Sequence, residues 1–236
     1  MDRQRFGIHT AKALCLDASE VPQAIEAART LGAKLLILRV PANRWASAAA
    51  AQQGGGILTD ILDHYHWSTR NLDENNDASA MRARDAKPCR PSDADEIADL
   101  ARAAFAGYES HYHRDPGLDV AAANEVYPDW ARRACLASTE ALPVIATRAN
   151  GRIVGFAALR RPAPDAIDVA LFAVHPSHRS SGLGALLLRE VQEFARASGA
   201  AAVTYSTQVE NTAARRLVTR CGFVPAYTLL TFHCWI

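Results

Sequence analysis

The sequence predicts an α/β fold, and three observations carry that reading. Between Ala11 and Trp67, apolar runs of strand length alternate with stretches of helical periodicity. Asn150-Gly151 lies between two apolar runs, a strong local signature of a β-hairpin. From Val169 to Glu190, VALFAVHPSHRSSGLGALLLRE, an apolar strand runs into a glycine-bearing turn and then a helix.

Taken in order, AKALCLD reads as a strand and Val21–Leu31 as a helix, with Ser19 as N-cap and Gly32 just past its end. KLLILRV is a buried strand. Asn43–Gln53 forms a second helix that Gly54-Gly55-Gly56 breaks, and ILTDILDHYHW is a further strand. The polar stretch containing NLDENNDASA has too little apolar content to pack, so residues 71–90 are expected to link an N-terminal domain, 1–70, to a larger one, 91–236. Ser92 or Asp93 caps a helix through Ala106. Leu118–Ala137 is another helix, which Pro128 kinks or divides. Pro143–Thr147 and Arg152–Leu159 are the hairpin strands, followed by Ile167–Val174, which stops at His175-Pro176 because proline cannot donate to a ladder. Ala201–Val209 is a strand, and Asn211–Arg220 a short helix closed by Cys221-Gly222-Phe223. The apolar end, LLTFHCWI, either packs in the core or pairs across a homodimer.

Composition bounds the function. With 49% hydrophobic and 22% charged residues, the chain of 236 can bury a real core. A net charge of +1 argues against a nucleic-acid binder. There is no apolar h-region near the start and no run of 18 apolar residues, so neither signal peptide nor membrane span is expected. The 5 cysteines form no C-x-x-C pair, which suggests a reduced, cytoplasmic protein without disulfides. His64-x-His66 and His111-x-His113 lack further ligands at a recognised spacing, so no metal is expected.

The turn Arg179-Ser180-Ser181-Gly182-Leu183-Gly184 is a cradle for an anion. Its glycines admit close backbone approach, and the first N–H groups of the following helix lack intrahelical partners at the positive end of the dipole. A dinucleotide fingerprint fails because position 187 is Leu, and a P-loop fails because Ala185 follows Gly184.

The order R-x-x-G-x-G after a strand, then a strand ending near Asn211, then Ala214, Leu217 and Gly222-Phe223, resembles the GNAT superfamily of acyl-CoA-dependent N-acyltransferases. That resemblance implies a mixed, mostly antiparallel central sheet flanked by helices, two strands that splay apart around pantetheine, and the Arg179–Gly184 turn on the pyrophosphate of acetyl-CoA. It also implies an oxyanion site at the backbone of Phe172, Ala173 and Val174, and contacts from Asn211 and Ala214. An N-cap role for Asn211 is an equal alternative.

Glu109–Pro116, ESHYHRDP, concentrates ionisable and aromatic side chains in a connector. Together with NEVYPDWARRA and T-Q-x-x-N-T-A-A from Thr207, it is similar to bacterial dTDP-4-amino-4,6-dideoxygalactose (dTDP-fucosamine) N-acetyltransferases, which carry a partial GNAT-like N-terminal domain. The resemblance implies a small amine acceptor, a nucleotide-linked amino sugar, with Tyr112, His113, Arg114 and Tyr127 near it. An amino-antibiotic, a peptide amine or a silent acyl-CoA sensor are the alternatives. Val218 stands where the family commonly has a tyrosine acid, so Tyr205 is the substitute candidate, with Glu109, His111 and His113 as candidate bases and His175 as a further one whose alternative role is to cap the strand end.

Overall fold

A computed structural model describes residues 2–70, 86–140 and 142–236. Most of the segment expected as a linker, 71–85, therefore lies outside the described residues. In chain order the elements are α1 (Asp2–Phe6), β1 (Thr10–Leu14), α2 (Glu20–Thr30), β2 (Leu35–Pro41), α3 (Trp45–Gln53), β3 (Ile57–Ser68), β4 (Lys87–Pro88), α4 (Ala94–Ala104), α5 (Val120–Asn124), α6 (Val126–Leu136), β5 (Val144–Ala149), β6 (Arg152–Ala163), β7 (Ala166–Val174), α7 (Leu183–Ala197), β8 (Ala202–Gln208), α8 (Thr212–Arg220) and β9 (Val224–Trp235).

The nine strands of the described residues join one mixed sheet in the order β1-β2-β9-β3-β8-β7-β6-β5-β4. Only β1/β2 and β7/β8 pair in parallel. The Asn150-Gly151 hairpin forms as expected: both residues have positive φ, the geometry of a two-residue turn matched to strand twist. β9 lies between β2 and β3, paired on both edges, with Phe232 and Cys234 buried. It has no edge left for a partner chain, so pairing of LLTFHCWI across a dimer is ruled out by geometry.

Helices cover both faces. Leu187, Leu188, Val191 and Ala195 of α7 pack on Ala157, Leu159, Ile167, Val169, Val203 and Tyr205. On the other face, Ile97, Leu100 and Ala101 of α4, with Ala131 and Cys135 of α6, cover Phe156, Ala158, Leu171 and Ala173. α2 and α3 cover β2 and β9.

Three local expectations need correction. Ser19 occupies the N-cap position of α2 but its side chain caps nothing; instead the Glu20 carboxylate accepts from Leu16 N (2.7 Å) and Asp17 N (3.3 Å). The expected helix to Ala106 ends at Ala104. The helix over 118–137 is two, broken at Glu125 rather than at Pro128. Pro128 is the third residue of α6, where an amide has no intrahelical acceptor and a missing N–H costs little.

Candidate active site

The site begins with a defect in β7. Ala158 and Leu159 of β6 face Leu171 and Val169, so Ala170 is an extra residue bulged out of the ladder. Side-chain alternation reverses across it: Ile167 and Val169 face α7, whereas Leu171 and Ala173 face α4 and α6. The bulge also bends the strand. Parallel pairing with β8 stops at Val169↔Tyr205, although both strands continue. Past that point β7 and β8 splay, leaving a gap in the sheet.

The register shows which backbone groups line the gap. His175 N donates to Val154 O at 2.8 Å, so the odd residues of β7 in this stretch face β6. By alternation, the N–H and C=O groups of Phe172 and Val174 face the gap. Ala173 turns its own toward β6.

At the end of β7, His175 Nδ1 accepts from Ser177 N and holds the short turn Pro176–His178, a capping role for this ring. The cradle follows. Ser180 and Gly182 both have positive φ, and Gly182 is the left-handed N-cap of α7. Among the described residues, the backbone N–H groups from Ser180 to Ala185 donate to no protein acceptor. A Cβ on Gly182 would meet nothing within 4 Å, so space lies open beside it. Free amides, a helix N-terminus and open space suit a diphosphate. Gly184 serves packing instead: a Cβ there would lie 3.1 Å from Leu217 Cδ2, where α8 crosses α7. Arg179 turns away, its guanidinium donating to Ala104 O at the end of α4 (2.8 Å), and Ser181 Oγ donates to His178 O (2.7 Å).

A cluster of polar and aromatic side chains gathers at the end of β8. Gln208 Nε2 donates both to Asp60 Oδ1 (3.0 Å) and to Glu109 O (2.9 Å), tying β8 to β3 and to the loop after α4. Tyr108 and Tyr127 meet edge to face at 5.5 Å, and Tyr127 stacks on Phe105 at 4.4 Å. Burial, then the neighbouring Tyr127 and the Asp60 charge, push the Tyr108 phenol up; burial and Asp60 push Tyr127 up as well. Arg114 pairs with Glu210 and approaches Asp60 Oδ1 at 3.8 Å.

The model of the acetyltransferase (GNAT) family matches residues 97–223, more than half of the chain. The chain belongs to the GNAT acetyltransferase family. It is also 32% identical over 149 residues to the spore coat polysaccharide biosynthesis protein SpsD of Bacillus subtilis (strain 168), a match covering 63% of this chain. The chain spans about half the length of that relative, 50%. A GCN5-related N-acetyltransferase from Kribbella flavida superposes with a TM-score of 0.63 at 17% identity, covering 94% of this chain and 80% of that one. A putative GNAT acetyltransferase from Novosphingobium aromaticivorans DSM 12444 gives 0.58 at 19% identity, covering 91% and 82%. The GNAT family uses acetyl-CoA and amine substrates.

Within this GNAT protein, the residues expected near the acceptor take different places. Tyr127 lies in the polar cluster, and Arg114 borders it. Tyr112 is packed away, buried and stacked on Phe6 at 5.3 Å. His113 Nδ1 accepts from Ser110 N (3.1 Å), so its Nε2 carries the hydrogen and donates to Asn124 Oδ1 (3.0 Å). His111 reaches toward β9, where its Nδ1 meets His233 Nε2 at 2.8 Å; His233 Nδ1 in turn donates to buried Asp115 at 2.5 Å. Burial, reinforced by His233, holds the His111 imidazole well below its usual pKa. Glu109 is exposed and engaged through its carbonyl.

Tyr205 is buried at the mouth of the gap, edge-on to Phe172 (6.0 Å) and Phe223 (6.4 Å), and burial pushes its phenol up. Val218 is fully buried in the core under α7. Asn211 caps α8, accepting from Ala214 N at 3.1 Å, which engages both of those expected contact groups. No group of three or more His, Cys, Asp or Glu converges on a metal position among the described residues, and no helix there is long and apolar enough to cross a membrane.

Sequence reasoning missed Asp60, Gln208 and Tyr108. Asp60 sits within an apolar run, ILTDIL, where a lone carboxylate is a signal of burial with a purpose. Gln208 was visible only as part of the T-Q-x-x-N segment.

Proposed function

We propose that this protein transfers the acetyl group of acetyl-CoA to the amine of a nucleotide-linked amino sugar destined for a surface polysaccharide. The observation that carries the reading is the gap after Val169↔Tyr205, with the Phe172 and Val174 amides on its edge and an acidic, aromatic cluster at the end of β8. The likeness to a spore coat polysaccharide biosynthesis protein supports a sugar acceptor. All 5 cysteines are unpaired, which supports a reducing cytoplasmic setting.

Acetyl-CoA would supply an activated acetyl group, its diphosphate held by the amides of Ser180 to Ala185 and its pantetheine laid along the gap. The Phe172 and Val174 N–H groups are fixed by the sheet before any ligand arrives. Donors pre-set in this way stabilise the oxygen that gains negative charge without reorganising. Tyr205, kept protonated by burial, is the proton donor for the departing thiolate. Its replacement by Phe is expected to lower kcat by about tenfold with little change in KM for acetyl-CoA, read by steady-state thiol release.

A thiolate is a tolerable leaving group at a pKa of about 8.5, so the loss of the usual tyrosine at Val218 need not stop turnover. Val218 nonetheless favours a second reading, an acyl-CoA-binding domain without turnover. Purified protein with acetyl-CoA and a panel of nucleotide amino sugars, aminoglycosides and peptides separates the two. Amine-dependent thiol release from the sugars is the expected result. Release with another amine moves the acceptor class, and binding of acetyl-CoA with no release from any amine supports the sensor.

A further inference from the structure

We infer that Asp60, a carboxylate contributed by the N-terminal part of the chain, binds the ammonium group of the acceptor and takes its proton. The inference rests on the acetyltransfer reading above and extends it to the acceptor's recognition.

The geometry of Asp60 is asymmetric. The residue is 4% exposed, on a β3 strand whose register shifts between Leu58 and Asp60, a bulge beside Thr59 that re-aims the side chain. Both hydrogen bonds to the carboxylate, from Gln208 Nε2 and Ile61 N (2.9 Å), go to Oδ1, and Arg114 approaches the same oxygen. Oδ2 has no partner among the described residues. Asp60 keeps 4% of its surface exposed and Oδ2 is not one of the fully buried atoms left unpaired, so this oxygen is open to a donor from outside the protein. A ligand cation is a group that can take it.

The surroundings suit a cation. Tyr108 and Tyr127 meet edge to face, and both phenols lie close enough to feel the Asp60 charge, so hydroxyl and carboxylate oxygens gather there. Arg114, which approaches Asp60 Oδ1, is committed to Glu210. Gln208 fixes Asp60 from the last residue of β8, beyond the point where β7 and β8 stop pairing, so the carboxylate sits across the end of β8 from the gap. Burial is the largest cause raising the Asp60 pKa, which makes it a stronger base than a solvated carboxylate.

The proton count closes. The ammonium gives one proton to Asp60 Oδ2, and the freed lone pair forms the C–N bond as the C–S bond breaks. The amine loses a second proton as the amide forms, which balances the one taken up by the thiolate. Asp60 releases its proton to water when the product leaves.

The test uses the full chain, wild type and Asp60→Asn, an isostere that keeps the Oδ1 acceptor. Calorimetry compares dTDP-4-amino-4,6-dideoxygalactose with the same nucleotide sugar bearing a hydroxyl in place of the amine. The wild type is expected to prefer the amine by at least about tenfold, and Asp60→Asn to lose the preference while binding acetyl-CoA normally. In turnover with the amino sugar, the variant is expected to lose about 100-fold in kcat/KM near neutral pH and to recover as pH rises toward the amine's own pKa. Equal binding of the two sugars by the wild type, or an unchanged preference and pH profile in the variant, overturns the inference. A preserved amine preference without thiol release overturns the acetyltransfer reading and leaves the ammonium site standing.

Discussion

The two edges of β8 differ in how far they are paired. Toward β3 the strand pairs along its whole length, Ala202–Gln208 against Leu62–Ser68. Toward β7 it pairs only from Ala202 to Tyr205. Hydrophobicity does not separate the two neighbours, since the open portion of β7 is as apolar as the closed one. The single extra residue Ala170 does, by turning the backbone of β7 out of register. A sheet can thus be opened for a ligand without giving up its core, provided the closed edge carries the stability and the open edge carries the function.

Substitutions on each side can break or sharpen that contrast. The largest effect belongs to the closed side, where Phe232 of β9 is 1% exposed. Phe232→Ala should cost about 3–5 kcal/mol of stability in denaturant unfolding. If acetyl-CoA affinity falls in parallel at temperatures where the protein is still folded, the two edges are not independent.

Next comes the cradle. Gly182→Val places a β-branched residue at φ +84°, with a strain of about 1–3 kcal/mol, and puts a side chain into the open space beside the free amides. Acetyl-CoA affinity by calorimetry is expected to drop at least about tenfold, with a smaller change in unfolding midpoint; unchanged affinity would remove the cradle from the site.

Asn211→Ala should cost about 1 kcal/mol through loss of the α8 cap. Unchanged acetyl-CoA affinity in this variant would assign Asn211 to structure alone.

The smallest effect is acid sensitivity on the closed side. His64, stacked on Tyr227 at 4.4 Å, has its pKa lowered by burial from 6.5 to about 4. The unfolded chain therefore binds the proton more readily, so stability is full above about pH 6.5 and declines as pH falls toward about 4. At about pH 5 the loss should be near 1 kcal/mol, reduced because the ring is only half-buried. His64→Gln should flatten that part of the stability–pH curve.

Much of this was legible in the chain. The Asn150-Gly151 turn, the strand ending at His175-Pro176 and the αL turn at Gly182 rest on backbone chemistry confined to a few adjacent residues. The cap at Asn211 is local in the same sense. The expectations that moved depend on distant partners. His111 reads as a base in isolation, and it is His233, 122 residues away, that draws it toward β9. Ser19 reads as a cap until Glu20 reaches back to the same turn. The break at Glu125 follows from Asp119 capping its own short helix, whereas proline alone points to Pro128.

The sequence by itself determined the strand, turn and helix with its free N-terminal amides, because φ freedom, proline's missing N–H and helix-end amides are properties of neighbours in the chain. Only the tertiary structure decided that β9 would lie between β2 and β3, that Ala170 would open the sheet, and that Asp60 would meet Gln208 at the end of β8. Those outcomes depend on strand register between segments far apart in sequence. A shift of one residue there reverses every side chain, and nothing in the local pattern reports it.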